Sequence, residues 1–349
     1  MYFNTDTNRR PSFLILPAIS SSPETGLEFG GAAILSFYSD TINRNTRVSN
    51  IFGYATITTK GQAKLSLNTS YWTSQNNWHY TESISYYNYP FDFYGIGNNT
   101  KLSKIDPVFE RRYKFSIGGE KLFGDRFYLG YVAGAVKYFY KYQPDPTATI
   151  NSDPGVQDKH GGDIIYIGPS FTYDTRDNNT YTTRGIIING YYNLMQGIYF
   201  TNPYKGGFLN IEYSQFFLLA KPLVLGIDIQ EQSLTGAQSA FYLMPEMGND
   251  EMMRGYYQGR YRDRNLLAGQ TELRYRISPR FGLAAFMGTG EVFHSDFSFP
   301  ELKPNYGGGV RYFFDIQKGL SFRLDYGVGQ KPAGEPRETG VYIALGQSF

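Results

Sequence analysis

The sequence predicts an all-β protein, a 16-stranded antiparallel transmembrane β-barrel, and three observations lead there. From about residue 12 onward, segments of 9–15 residues alternate apolar and polar side chains, the period of a strand with one apolar face and one wet face. Gly, Asn, Asp and Pro cut these segments apart with no helical interlude. Aromatic residues are abundant, 32 Tyr and 27 Phe in 349 residues. They crowd the segment ends, as in 86–94 (YYNYPFDFY), 138–142 (YFYKY) and 256–261 (YYQGRY), where a barrel in a bilayer carries its interfacial girdles.

In chain order the strands are expected at 12–20, 26–37, 45–57, 61–72, 77–88, 107–121, 126–142, 163–175, 184–195, 205–219, 222–233, 265–277, 280–293, 305–315, 319–330 and 338–349. The sixth sets Tyr113, Phe115 and Ile117 against Arg112, Lys114, Ser116 and Glu120. The twelfth sets Leu273, Tyr275 and Ile277 against Glu272, Arg274 and Arg276. The fifteenth is the clearest, with Leu320, Phe322, Leu324, Tyr326 and Val328 on one face and Ser321, Arg323, Asp325 and Gly327 on the other. A soluble β-sandwich also alternates, but its strands are typically about 5–6 residues. A tilted strand that crosses a bilayer needs about 9–11.

The connections carry the same message. Every second one is short (38–44, 73–76, 122–125, 176–183, 220–221, 278–279 and 316–318), while 89–106, 143–162 and 234–264 are long. Outer-membrane barrels show that asymmetry, with tight periplasmic turns and longer external loops. An even strand count places both termini in the periplasm, so 1–11 is expected as a short periplasmic segment and 12–349 as one barrel domain. Unpaired backbone groups are costly in hydrocarbon. The last strand, VYIALGQSF, is therefore expected to pair with the first, SFLILPAIS, with Val341, Ile343 and Leu345 on the face of Phe349.

Other classes are disfavoured. Cysteine is absent, which removes thiol catalysis, disulfides and cysteine metal sites. A formal charge of +2 with scattered Lys and Arg gives no footprint for nucleic acid. His79, His160 and His294 lie apart without metal-pair spacing, and no GxSxG elbow occurs, so neither an enzyme nor a bound cofactor is expected. Asp174, Arg176, Asp177 and Asn178 could suggest a hard-cation site. Asp and Asn at a tight turn more often bond nearby backbone, and no metal is expected. The opening MYFNTDTNRR lacks the apolar stretch of a secretory signal, so the numbering is expected to begin at a processed or engineered end.

Several segments together resemble the barrel domain of the BamA/TamA superfamily, also called the bacterial surface antigen family. These are LPAISSSPETGLEFGG at the first hairpin, YPFDFYGIGN (89–98), YDTRDNNTYTTRG (173–185) and above all MRGYYQGRYRDRN (253–265) in the sixth long loop. The resemblance implies that this loop folds into the lumen through Arg254, Gly255 and Tyr256, with Glu272 as acidic partner and Phe286 beneath the guanidinium. The family often has an Asp two residues after that Phe; here Gly288 stands there. It also implies a weak lateral seam between first and last strands, to which Pro17, Gly340 and Gly346 would contribute, and Phe349 resembles the C-terminal recognition signal of outer-membrane proteins.

The implied role is assembly or insertion of outer-membrane proteins, or polypeptide translocation, in the outer membrane of a bacterial cell. The expected partners are outer-membrane lipid and lipopolysaccharide, unfolded outer-membrane proteins and a separate periplasmic protein. Only about 11 residues precede the first strand, so the chain is expected to be either a stand-alone form without its own POTRA domains, the favoured reading, or the barrel cut from a longer protein. The competing reading is a passive pore or structural barrel without insertase activity, and a sixth loop of 31 residues tucked inside would obstruct it.

Overall fold

Alternation along each strand sorts its side chains to two faces, and here the usual sense is inverted. On the expected fifteenth strand Leu324 and Tyr326 are 45% and 51% exposed, whereas Arg323 and Asp325 are buried. Near the C-terminus Val341 and Ile343 are 66% and 79% exposed. An apolar exterior around a charged interior suits a sheet that faces lipid.

The computed structural model describes residues 9–22, 26–198, 204–236 and 240–349. Eleven strands come first: β1 (Ser12–Ser22), β2 (Gly26–Phe37), β3 (Ser49–Thr58), β4 (Ala63–Trp72), β5 (Trp78–Phe93), β6 (Asp106–Phe123), β7 (Phe127–Lys141), β8 (Asp163–Asp174), β9 (Gly185–Ile198), β10 (Lys205–Ala220) and β11 (Leu223–Gly236). Two short ones, β12 (Glu246–Met247) and β13 (Tyr261–Arg262), pair with each other inside the longest loop. Then follow β14 (Asn265–Arg276), β15 (Phe281–Phe293), β16 (Lys303–Asp315), β17 (Leu320–Val328) and β18 (Thr339–Leu345). All except β12 and β13 form one 16-stranded antiparallel sheet in chain order.

Three expectations need correction. First, no ladder joins β1 to β18 among the described residues, so the sheet keeps two free edges. Of these two edge strands β18 is the shorter, with 7 residues against 11 in β1. Second, the last strand stops at Leu345, because Gly346 adopts φ +82°, a left-handed conformation that turns the chain off the ladder. Gln347, Ser348 and Phe349 consequently point into the lumen, and Phe349 does not share the outward face of Val341 and Ile343. Its ring lies 5.8 Å from that of Phe216 on β10. Third, β5 runs on to Phe93, five residues beyond the expected end, because Phe91 and Phe93 continue the alternation into a core above the sheet.

That core lies among the long connections. Phe93, Val108, Ile150, Val156 and Phe241 are buried together, so these loops are held by apolar packing. The short turns close the opposite end. The 175–184 turn crosses to the far side, where Thr180 hydrogen-bonds the Lys318 carbonyl and the ring of Tyr181 lies 5.2 Å from that of Phe313. Asp174 pairs with Arg47 and Arg176, each at 2.9 Å, and Asp177 accepts the Thr183 and Arg184 amides. These carboxylates thus serve guanidinium groups and turn backbone. Most of the expected N-terminal segment, residues 1–8, lies outside the described residues; Arg9 is buried against the Asn43 and Thr46 carbonyls.

Candidate functional site in the barrel lumen

The register across β14–β18 builds the site. One row of directly opposed residues is Glu272, Phe286, Gly307, Gly327 and Gly340; the adjacent row is Arg274, Ala284, Gly309, Asp325 and Tyr342. Charges therefore stand on β14 (Glu272, Arg274) and β17 (Asp325), with Phe286 and otherwise small residues between them. The glycines leave a trough in the inner wall. A Cβ on Gly307 would lie 2.4 Å from the Phe286 ring, and one on Gly327 would lie 2.5 Å from the Arg254 backbone. The absence of side chains lets both an aromatic ring and the loop main chain lie flat on the sheet.

The loop enters this trough. Arg254, Tyr256 and Tyr261 are fully buried. Gly255 has φ +114°, and a Cβ there would meet the Val328 and Gly329 backbone at 2.8 Å. Arg254 donates from Nη1 to Asp325 Oδ2 at 2.6 Å and from Nη2 to Glu272 Oε2 at 2.8 Å. Its guanidinium carbon lies 3.5 Å from the centroid of the Phe286 ring, a cation–π contact on the face not used by the carboxylates. Its carbonyl accepts the Asn305 side-chain amide at 2.9 Å.

The next two residues extend the anchor to the last strand. The Gly255 amide donates to the Tyr342 hydroxyl of β18 at 2.8 Å. The Tyr256 hydroxyl donates to the Pro304 carbonyl at 2.6 Å and accepts the Gln330 amide at 2.9 Å. Around Arg254 stand three more buried arginines. Arg274 reaches Glu272 at 2.8 Å, Arg311 reaches both Glu272 and Asp325, and Arg323 reaches Asp325 at 3.2 Å and Asp250 of the loop at 2.6 Å. Four guanidinium groups thus share two fully buried carboxylates. Buried charges on this scale persist only where each has several partners.

The C-terminal tail joins the same network. Ser348 donates to Glu272 Oε2 at 2.9 Å, Arg311 reaches Gln347, and Arg274 donates to the Phe349 carbonyl at 2.9 Å with its guanidinium over the Phe349 ring. Loop and tail therefore meet on Glu272, which accepts from Arg254 of the loop and from Ser348 of the tail.

Outside the sheet, Arg260 pairs with Glu335 and Glu338 of the β17–β18 connection, and Arg262 pairs with Glu246 at 2.9 Å. Burial works against the Glu335 carboxylate, but the Leu102 amide and the Arg260 guanidinium outweigh it and hold the group below its ordinary range.

The structure thus brings Arg254, Gly255, Tyr256, Glu272 and Phe286 together. It places the Gly340 backbone at the end of their row and Phe349 beside Arg274. Pro17 and Gly346 lie elsewhere. Pro17 sits within β1 opposite Gly31, so the strand continues through it, and Gly346 follows β18. Asp325, second carboxylate of the latch, is not singled out by the sequence, nor are the three surrounding arginines as a group. Gly288 faces Asn305, whose side-chain oxygen would lie 2.8 Å from an added Cβ, and the second carboxylate on Arg254 is Asp325 of β17.

No family model and no curated protein matches the chain. Solved structures do. The crystal structure of BamA from Haemophilus ducreyi lacking POTRA domains 1–3 aligns with TM-score 0.58 and 12% identity over 97% of this chain and 70% of that one. CdiB from Acinetobacter baumannii aligns with TM-score 0.59 and 11% identity over 96% of this chain and 59% of that chain. CdiB from Escherichia coli gives TM-score 0.58 and 8% identity, with coverages of 96% and 62%. This chain therefore spans about three fifths of the length of either CdiB chain, and what it shares with all three proteins is the barrel fold.

Proposed function

We propose that this protein is an outer-membrane barrel that assists the insertion of other outer-membrane proteins or the passage of a polypeptide. The observation that carries the reading is the pair of unpaired edges: β1 and β18 each present main-chain donors and acceptors to no partner among the described residues. A free strand edge is a template for adding another strand. The fold shared with BamA and CdiB supports the same role. Pro17 weakens the β1 edge as a ladder, because its nitrogen has no hydrogen to donate.

Reconstitution in liposomes tests the role. The expected result is faster folding of an unrelated outer-membrane barrel than in empty liposomes of the same composition. That gain should disappear when cysteines placed along β1 (residues 12–17) are cross-linked to cysteines along β18 (residues 339–345). Acceleration that survives the cross-link rules out edge exchange. No acceleration, together with large steady currents in planar bilayers, establishes a passive pore.

A further inference from the structure

The outward face of β6 and β7 carries a feature that the lumen site does not use. On β7 the outward positions from Phe127 to Ala135 are uncharged, and Lys137, Phe139 and Lys141 follow. On β6 the outward Ile117, Phe115 and Tyr113 are followed by Arg111 and Phe109. Register sets Arg111 opposite Phe139, with Lys137 and Lys141 two residues to either side of that Phe. Diagonal neighbours of this kind lie about 7–8 Å apart, so the three cations form one cluster.

The charges are not equivalent. Lys137 is spent on Asp163 of β8 at 3.0 Å and lies over the Phe139 ring. Arg111 and Lys141 are exposed, and among the described residues neither has an ion pair, hydrogen bond or ring contact. Asn88 of β5 is opposite Arg111. The carboxylates on the same face of β5 are Asp92, opposite Pro107 toward the long connections, and Glu82, opposite Ile117 further down the wall. A groove of about 750 Å³ runs between the two cations, lined among others by Asn88, Phe109, Arg111, Phe139, Lys141 and Glu110, whose carboxylate is taken by Arg112 and the Tyr140 hydroxyl.

Height identifies the occupant. From Phe127 to Lys137 is ten residues, about 33 Å of strand and about 25 Å along the membrane normal at a tilt near 40°, which matches the apolar band of a membrane barrel. The cluster therefore stands where that band ends, toward the long connections, at headgroup level. Two unpaired cations beside Phe109 and Phe139 complement a phosphate with acyl chains beneath it.

We infer that Arg111 and Lys141 bind the phosphorylated headgroup of a membrane lipid on the outer wall of β6–β7. The inference rests on the membrane-barrel reading, not on the assembly role, so a barrel that is idle in the liposome folding assay still tests it.

The test uses the whole chain in detergent micelles, titrated with diphosphoryl lipid A, with the same lipid after phosphatase treatment, or with inorganic phosphate. Wild type should bind the diphosphoryl form about tenfold more tightly than the dephosphorylated form, and Arg111→Gln/Lys141→Gln should lose that preference. Lys121→Gln, at the opposite end of β6, should keep it. Heat-dependent gel mobility reports that each variant is folded. Equal affinity for the two lipids, an unaffected double variant, or equal loss in Lys121→Gln overturns the site. Saturation by inorganic phosphate alone, with no added preference for the lipid, overturns the lipid as its ligand.

Discussion

Arg254→Ala is expected to release the long loop while leaving the sheet assembled. The side chain is wholly buried, makes two charge-assisted hydrogen bonds and covers the Phe286 ring. Removing one member of a buried ion pair costs about 3–5 kcal/mol, and a desolvated cation–π contact adds about 2. The loss here should fall near the bottom of that range, at about 3 kcal/mol, because Glu272 keeps Arg274 and Arg311 while Asp325 keeps Arg311 and Arg323. It should be local. Limited proteolysis should cut within 240–264 in the variant and spare that segment in wild type, with the β-sheet circular dichroism signal unchanged. Wild-type protease resistance in Arg254→Ala would remove the latch from the account.

Glu272→Ala should do more damage than Arg254→Ala. Glu272 accepts from Arg254, Arg274, Arg311 and Ser348, so its loss strips partners from the loop, the wall and the C-terminal tail together. Three guanidinium groups would then share Asp325, Arg274 would lose its carboxylate, and like charges would be left to repel one another in a confined space. The expected cost is about 4–5 kcal/mol, read as a lower urea midpoint in the heat-modifiability assay. The double variant Arg254→Ala/Glu272→Ala should be less destabilised than the sum of the single changes, with a coupling of at least about 1 kcal/mol. Strict additivity would mean that the 2.8 Å contact contributes nothing.

Much of this is legible in the chain because a strand writes its two faces into the sequence at period two. The apolar run Leu273, Tyr275, Ile277 and the charged run Glu272, Arg274, Arg276 need no tertiary information to be separated. Arg254, Glu272 and Phe286 are also reachable, through the motif in the long loop. Asp325 is not, since its place beside Arg254 depends on the register of three successive ladders from β14 to β17. Gly346 misleads for a different reason. As a residue within a strand it would only soften the ladder, but its positive φ ends β18 and sends Phe349 inward. The free edges are likewise hidden, because an alternating terminal strand carries no mark of whether its neighbour pairs with it.

The loop lies inside the barrel with Arg254 as its pin. The chain has no cysteine, so a single introduced thiol reports on one place. Met252 is 4% exposed within the loop, whereas Asp296, in the β15–β16 connection, is exposed. Met252→Cys should react with a water-soluble maleimide about tenfold more slowly than Asp296→Cys, and should reach the same rate once Arg254→Ala is added. Equal rates for the two cysteines in the presence of Arg254 would contradict the account.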